Sequence, residues 1–251
     1  MNFTYEDHVI RVNMPDQPSL MDEVTRRFRA HQGFALATIN LDHLVKLRQD
    51  GGFRQAYAAQ DLVVADGNPI IWLSRLAGES LALVPGSDLV MPLARLAAAE
   101  DVPLALVGST PEALEAAAAH IRKKVPGITI AACIAPPMGF DPESAAGAEV
   151  LHQLRDSGAR LCFIALGAPK QERLAARGRI EAPEVGFASI GAGLDFLAGN
   201  QQRAPRWVRR IAMEWVWRML SSPRRLAPRY ARCAAILPAE AMNALKQRRA
   251  R

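Results

Sequence analysis

Leu161-Cys162-Phe163-Ile164-Ala165-Leu166-Gly167-Ala168-Pro169-Lys170-Gln171-Glu172 decides the fold class of this chain. Six apolar residues in a row, short and rich in β-formers, read as a strand buried on both faces. The glycine and proline that follow end it in a tight turn, and a helix opens near Pro169. The same unit recurs outward in both directions. Phe34–Ile39, Leu62–Ala65, Leu104–Val107, Ile128–Cys133 and Val185–Ile190 are further apolar runs of strand length. Between them lie helical patterns over Asp88–Ala99, Pro111–Lys124 (with Thr110 as N-cap) and Glu143–Asp156. Strands alternating with helices predict an α/β fold: a Rossmann-like, mostly parallel sheet with helices on both faces. In such sheets ligands bind where the loops gather, beyond the carboxyl ends of the strands.

Those loops carry the chemistry. The first strand leads into Thr38 and Asn40, small polar groups able to hold a polar ligand. The second leads into Ala65-Asp66-Gly67-Asn68-Pro69, where Asp66 is either a placed acid or the N-cap of the helix opening near Pro69. Asp88 likewise reads as the N-cap of the helix that follows it. The turn at Gly167 lets backbone approach a ligand, and the helix behind it offers free amide donors to an anion. Gly191-Ala192-Gly193, after the last strand, has a superficial likeness to a dinucleotide fingerprint. It comes at the wrong end of the sheet and lacks the third glycine's spacing. No Asp-x-Asp stands at a strand end, no His/Cys cluster offers a transition-metal site, and neither a Walker loop nor a Gly-x-Ser-x-Gly elbow occurs. Neither a metal site nor a cofactor is expected. The five histidines are scattered, as are Cys133, Cys162 and Cys233. The cysteines read as small core residues in a reducing compartment.

Charge divides the chain. From Gln201 onward there are thirteen Lys/Arg against two acids, whereas the whole chain carries +6, so residues 1–200 sit near −5. In that tail Val208, Ile211, Ala212, Trp215 and Met219 fall on one helical stripe, with Trp207 and Trp217 close by. Pro223 and Pro228 then interrupt the pattern, and a weaker helix is expected from Ala239. Residues 1–200 thus form the core and 201–251 a basic helical C-terminal appendage. Arginine mixed with tryptophan suits phosphates and lipid headgroups. The tryptophans line one apolar stripe instead of forming a stacking platform, which argues against nucleic acid as the partner. The amino terminus has no apolar signal region and no run approaches the ~20 apolar residues of a spanning helix. A cytoplasmic protein, peripheral on the inner face of the bacterial cell membrane, is the expectation.

Several strings occur in order: Thr38-x-Asn40, Ala65-Asp66-Gly67-x-Pro69, Gly86-Ser87-Asp88-Leu89, Gly167-Ala168-Pro169-Lys170-Gln171-Glu172 and Gly191-x-Gly193. After them come Arg203-Ala204-Pro205, Glu214-Trp215-x-x-Arg218, and Pro223-Arg224-Arg225 leading to Arg229-Tyr230. Together they resemble the WecG/TagA/CpsF glycosyltransferase family over about residues 8–232. The resemblance implies inverting transfer of a sugar from a UDP-sugar to a polyprenyl-diphosphate-linked acceptor at the cytosolic membrane surface. Relatives use glucose, N-acetylmannosamine or its uronic acid. It further implies Asp66 as the base, Thr38, Asn40 and Gln171 as groups orienting sugar and acceptor, and Arg203, Arg218, Arg225 and Arg229 as cations folding over the core to hold diphosphate. One position departs: the family usually has an arginine three residues before Gly86, and here it is Leu83. That keeps open a catalytically silent, nucleotide-binding membrane adaptor of the same fold. Lipid or a second copy of the chain would cover the apolar tail residues.

Overall fold

The computed structural model describes residues 1–5, 8–199, 205, 208 and 214–250, with the backbone alone for Glu214, Arg218, Ser221 and Arg225. The expected strands are present as β3 (Phe34–Ile39), β4 (Leu62–Ala65), β5 (Leu104–Gly108), β6 (Ile130–Ile134), β7 (Leu161–Ala165) and β8 (Gly186–Ser189). They form one six-stranded sheet in the order β4-β3-β8-β7-β5-β6, and every pairing is parallel. Side-chain alternation divides the core. Phe34, Leu36, Val64, Leu106 and Phe163 face one layer, built on α1 (Gln17–Arg29), α5 (Gly86–Ala99) and α6 (Pro111–Lys124). Ala35, Val107, Cys162 and Ile164 face α7 (Ala145–Asp156) and α8 (Lys170–Glu181) on the other side. Beside them Ala37, Ile39 and Val63 pack on α2 (Leu41–Gln49) and α3 (Gly51–Ala58).

The helices anticipated at Asp88, Pro111 and Glu143 occur within two residues of their expected starts, and Thr110 caps α6 through a 3.3 Å bond from Ala113 N. The sequence pattern missed α1 to α3 and an amino-terminal hairpin, β1 (Asn2–Tyr5) against β2 (His8–Arg11). The segment after the hairpin runs along the outer edge of β4. There Met14 N donates to Val63 O at 3.1 Å and Asn13 Oδ1 accepts from Val63 N at 2.8 Å, covering an open sheet edge.

The tail departs from expectation. After α4 (Asn68–Leu76), α9 (Gly193–Leu197) and α10 (Glu214–Ser221), a single helix α11 runs over Pro223–Arg249. Pro223 sits at the helix start, where its missing N–H costs nothing. Pro228 and Pro238 lie inside it and each removes one intrahelical bond. Packing overrides that loss: Ile236, Leu237, Ala241 and the wholly buried Ala244 join the cluster of Ile70, Ile71 and Leu73 on α4 and Leu44 and Leu47 on α2. Arg48 Nη2 and Glu240 Oε1 pair at 2.7 Å, and Gln247 bonds the backbone of Asn2, so this helix also ties down the hairpin. Part of the 201–251 appendage is therefore integral to the core packing. Ile211 and Ala212 of the apolar stripe, and Trp207 beside it, lie outside the described residues, while Val208 is buried and Trp215 exposed. Cys162 and Cys233 are buried as expected. Cys133 is exposed, because β6 is an edge strand.

Candidate functional site

All the main helices that follow strands begin at the carboxyl edge of the sheet, so their positive dipole ends point into one rim. Asn40 ends β3 and is the N-cap of α2. Its Oδ1 accepts from Asp42 N at 3.0 Å and His43 N at 3.2 Å, while its own N–H donates to His43 Nδ1 at 3.2 Å. This reciprocal cap leaves the Asn40 amide nitrogen free to turn sideways. Nδ2 donates to Asp66 Oδ2 at 3.3 Å, joining the ends of two paired strands.

Asp66 does not cap α4. That position belongs to Gly67, at φ +100°, where no side-chain cap bond is made and a β-carbon would be strained. The glycine carries the turn, and the half-buried Asp66 carboxylate accepts from Asn40 Nδ2. Asp88 is not an N-cap either. Pro85 holds that position, and Asp88 lies in the first turn of α5, where a negative charge suits the dipole. The chain enters α5 beside the site, since Val84 N donates to Ala65 O at 2.8 Å. Leu83, the residue before it, is 42% exposed.

The β7–α8 turn approaches from the other side. Gln171 is almost wholly buried. Its Oε1 accepts from Gly191 N at 3.2 Å and its Nε2 donates to Glu172 Oε1 at 2.8 Å, so it pins the turn after β8 to the start of α8. Gly86 allows the close approach of α5: a β-carbon there would lie 3.3 Å from Ile190 Cα and from Thr38 Cγ2. Thr38 is buried in that contact.

Cations gather at the α2 end of the rim. Asp42 Oδ2 lies 2.9 Å from Lys46 Nζ, and its Oδ1 lies 2.8 Å from Arg229 Nε, brought in by α11. Burial alone would raise the Asp42 pKa, but the Lys46 hydrogen bond and the Arg229 charge hold it below its ordinary value. Lys46 Nζ also donates to Ala168 O at 2.9 Å, linking α2 to the β7–α8 turn.

The structure thus brings Thr38, Asn40, Asp66 and Gln171 to one edge, with Arg229 at its rim through Asp42. Arg203 lies outside the described residues, as do the side chains of Arg218 and Arg225. Four participants had no assigned role from sequence: Asp42, His43, Lys46 and Glu172. The spacing Asn40-x-x-His43 at a helix start was the one available signal for His43. Nor was Ser109 foreseen. It follows β5 at φ +59° and donates to Asp195 Oδ1 at 2.6 Å, joining the β5 turn to α9.

Such an edge can hold an anion against helix N-termini with one carboxylate beside it. No metal-holding group of three or more His, Cys, Asp or Glu occurs among the described residues. The sequence model of the Glycosyl transferase WecG/TagA/CpsF family matches residues 8–251, nearly the whole chain, and the protein belongs to that family.

Proposed function

We propose that this glycosyltransferase is an inverting enzyme that moves a sugar of the glucose or N-acetylmannosamine type from a UDP-sugar to a polyprenyl-diphosphate-linked saccharide, in exopolysaccharide or cell-wall polymer biosynthesis. Asp66 carries the reading. It is a carboxylate at a strand end, one residue before the Gly67 N-cap of α4, and it is oriented by the Asn40 amide. Single displacement with inversion needs one base to take the acceptor hydroxyl's proton as that oxygen attacks the anomeric carbon. Asp66 fills this role. The bond to UDP breaks at the same centre, and the charge developing on diphosphate meets the converging helix N-termini and the arginines Arg203, Arg218, Arg225 and Arg229. Thr38 and Asn40 order the sugar and acceptor, and Gln171 acts through the Gly191 turn that it holds.

Residues 201–251 close the site and meet the cytosolic membrane face. Exposed Trp215, Trp217 and Leu220 on α10, with exposed Arg224 and Arg232 on α11, support peripheral docking on anionic lipid. No described helix is long and apolar enough to cross a membrane.

The test is UDP release with a panel of UDP-sugars and a sugar-diphosphate-polyprenol acceptor. One donor should give acceptor-dependent release, and Asp66→Ala should lower kcat by about 10²-fold or more without a change in melting temperature. Near-wild-type turnover in that variant would remove Asp66 from the chemistry. Silence from folded protein across the panel would favour the catalytically silent adaptor, the reading to which Leu83 gives weight.

A further inference from the structure

Behind the site lies a buried polar cluster that the transfer chemistry above leaves unused. His43 on α2, Tyr57 on α3 and Glu172 on α8 meet beneath the carboxyl edge, and Glu172 is fully buried. Its Oε1 accepts from Gln171 Nε2 at 2.8 Å and lies 3.6 Å from His43 Nε2. Among the described residues its Oε2 has no hydrogen-bond partner, and neither has the Tyr57 hydroxyl. A fully buried carboxyl with a bare oxygen costs stability that an apolar residue of the same size would not. Its cost points to a use.

Hydrogen bonds run from Asp66 to His43, and a 3.6 Å approach, longer than a hydrogen bond, continues them to Glu172. Asp66 Oδ2 accepts from Asn40 Nδ2, and Asn40 N donates to His43 Nδ1. The imidazole therefore carries its proton on Nε2, which faces Glu172 Oε1. Gln171 then joins Glu172 to Gly191 N. This line crosses the ends of β4, β3, β7 and β8, four strands that lie side by side in the sheet.

We propose that His43 and Glu172 are positioning residues: the neutral Glu172 carboxyl fixes the His43 ring, which holds Asn40 and thereby aims the Asp66 carboxylate at the acceptor. This rests on Asp66 being the base. Below about pH 7 the surroundings keep both groups uncharged. Burial and then the Lys46 charge push the His43 pKa down to about 3, and burial pushes Glu172 up to about 7. The titratable groups facing Glu172 are His43 and Lys46 from α2 and Tyr57 from α3, with Asp66 beyond Asn40. The strands and α7 turn apolar side chains to this layer, together with the Cys162 thiol.

Two variants test the relay. Glu172→Gln is nearly isosteric, keeps the Oε1 acceptor and cannot ionise. In the wild type kcat should fall as pH rises through about 7, whereas Glu172→Gln should stay within about twofold of the wild type at pH 6 and lack that step. His43→Leu should lower kcat on the order of tenfold or more while the donor KM moves less than about threefold, the split expected of a displaced base. Nitrogen NMR of the imidazoles gives a readout apart from turnover. The ring signal missing in His43→Leu should report a proton on Nε2 and should shift between pH 6 and 8 in the wild type but not in Glu172→Gln. Superimposable pH profiles, or wild-type kcat in His43→Leu, would overturn the relay. Full turnover in Asp66→Ala with the NMR behaviour intact would instead sink the base assignment and leave the buried pair standing.

Discussion

Replacing Glu172 by glutamine should make the protein more stable, and more so as pH rises. Buried away from solvent, the carboxyl has its pKa pushed from the ordinary 4.5 up to about 7. In the unfolded chain it ionises near 4.5, so between the two values the folded state alone holds the proton. Stability from this group is then fully present below pH 4.5 and is lost as pH rises towards 7. The full loss corresponds to about 3 kcal/mol, most of it falling between pH 5 and 8. Glutamine fills the same space, keeps an acceptor for the Gln171 amide and has no proton to lose. The measurement is urea denaturation of both proteins at half-unit steps from pH 5 to 8, taking the difference in unfolding free energy. All groups that titrate alike in both cancel in that difference. In the folded state His43, pushed down to about 3, and Tyr57, pushed up from its ordinary value, titrate outside the window, and the unfolded-state titration of His43 near 6.5 is common to both proteins and cancels. The gap should widen by roughly 2–3 kcal/mol in favour of Glu172→Gln. A flat difference would refute a carboxyl held neutral by burial. A gap that opens the other way would mean that an ionised Glu172 finds a favourable partner in the fold.

Gly108→Ala should cost about 2–4 kcal/mol, because its β-carbon would lie 2.5 Å from Ala165 O at φ +110°. A loss under about 1 kcal/mol in urea unfolding would show that the β5 and β7 ends part easily. Ala244→Glu puts a charge at a wholly buried contact of α11 with α2 and α4, and should release the C-terminal helix to protease before the core opens. Unchanged protection would mean that this packing adds little. Truncation after Asn200 is a poorer probe of the tail, since it would also uncover Ile70, Ile71 and Leu73. Trp215→Ala with Trp217→Ala should weaken co-sedimentation with anionic liposomes several-fold, and salt should weaken it further. Binding indifferent to both would remove the membrane role of α10.

The sequence by itself determined the parallel sheet, the strand ends and the residues on them. Buried strands such as Phe34–Ile39 and Leu161–Ala165 announce themselves through unbroken apolar runs, because both faces are covered. Turn glycines and prolines then mark where each strand stops, which placed Thr38, Asn40, Asp66 and Gln171 on one edge. The order of strings also carried the family. The amino-terminal hairpin was less legible: with one face solvated and only four residues per strand, its pattern is too short to read. The proline rule misjudged α11, because a helix docked on a core can absorb lost hydrogen bonds that an isolated helix cannot. Only the tertiary structure decided what each polar residue is spent on. Asp66 could be read as a placed acid or a helix cap and Asp88 as a cap, and Gly67 and Pro85 proved to hold the cap positions. His43 and Glu172 lie 129 residues apart and carry no joint signal in the chain, yet they meet in the buried interior. Charge and proton occupancy there follow from burial and from neighbours brought by other elements, and neither is a property of a residue in its own stretch of sequence.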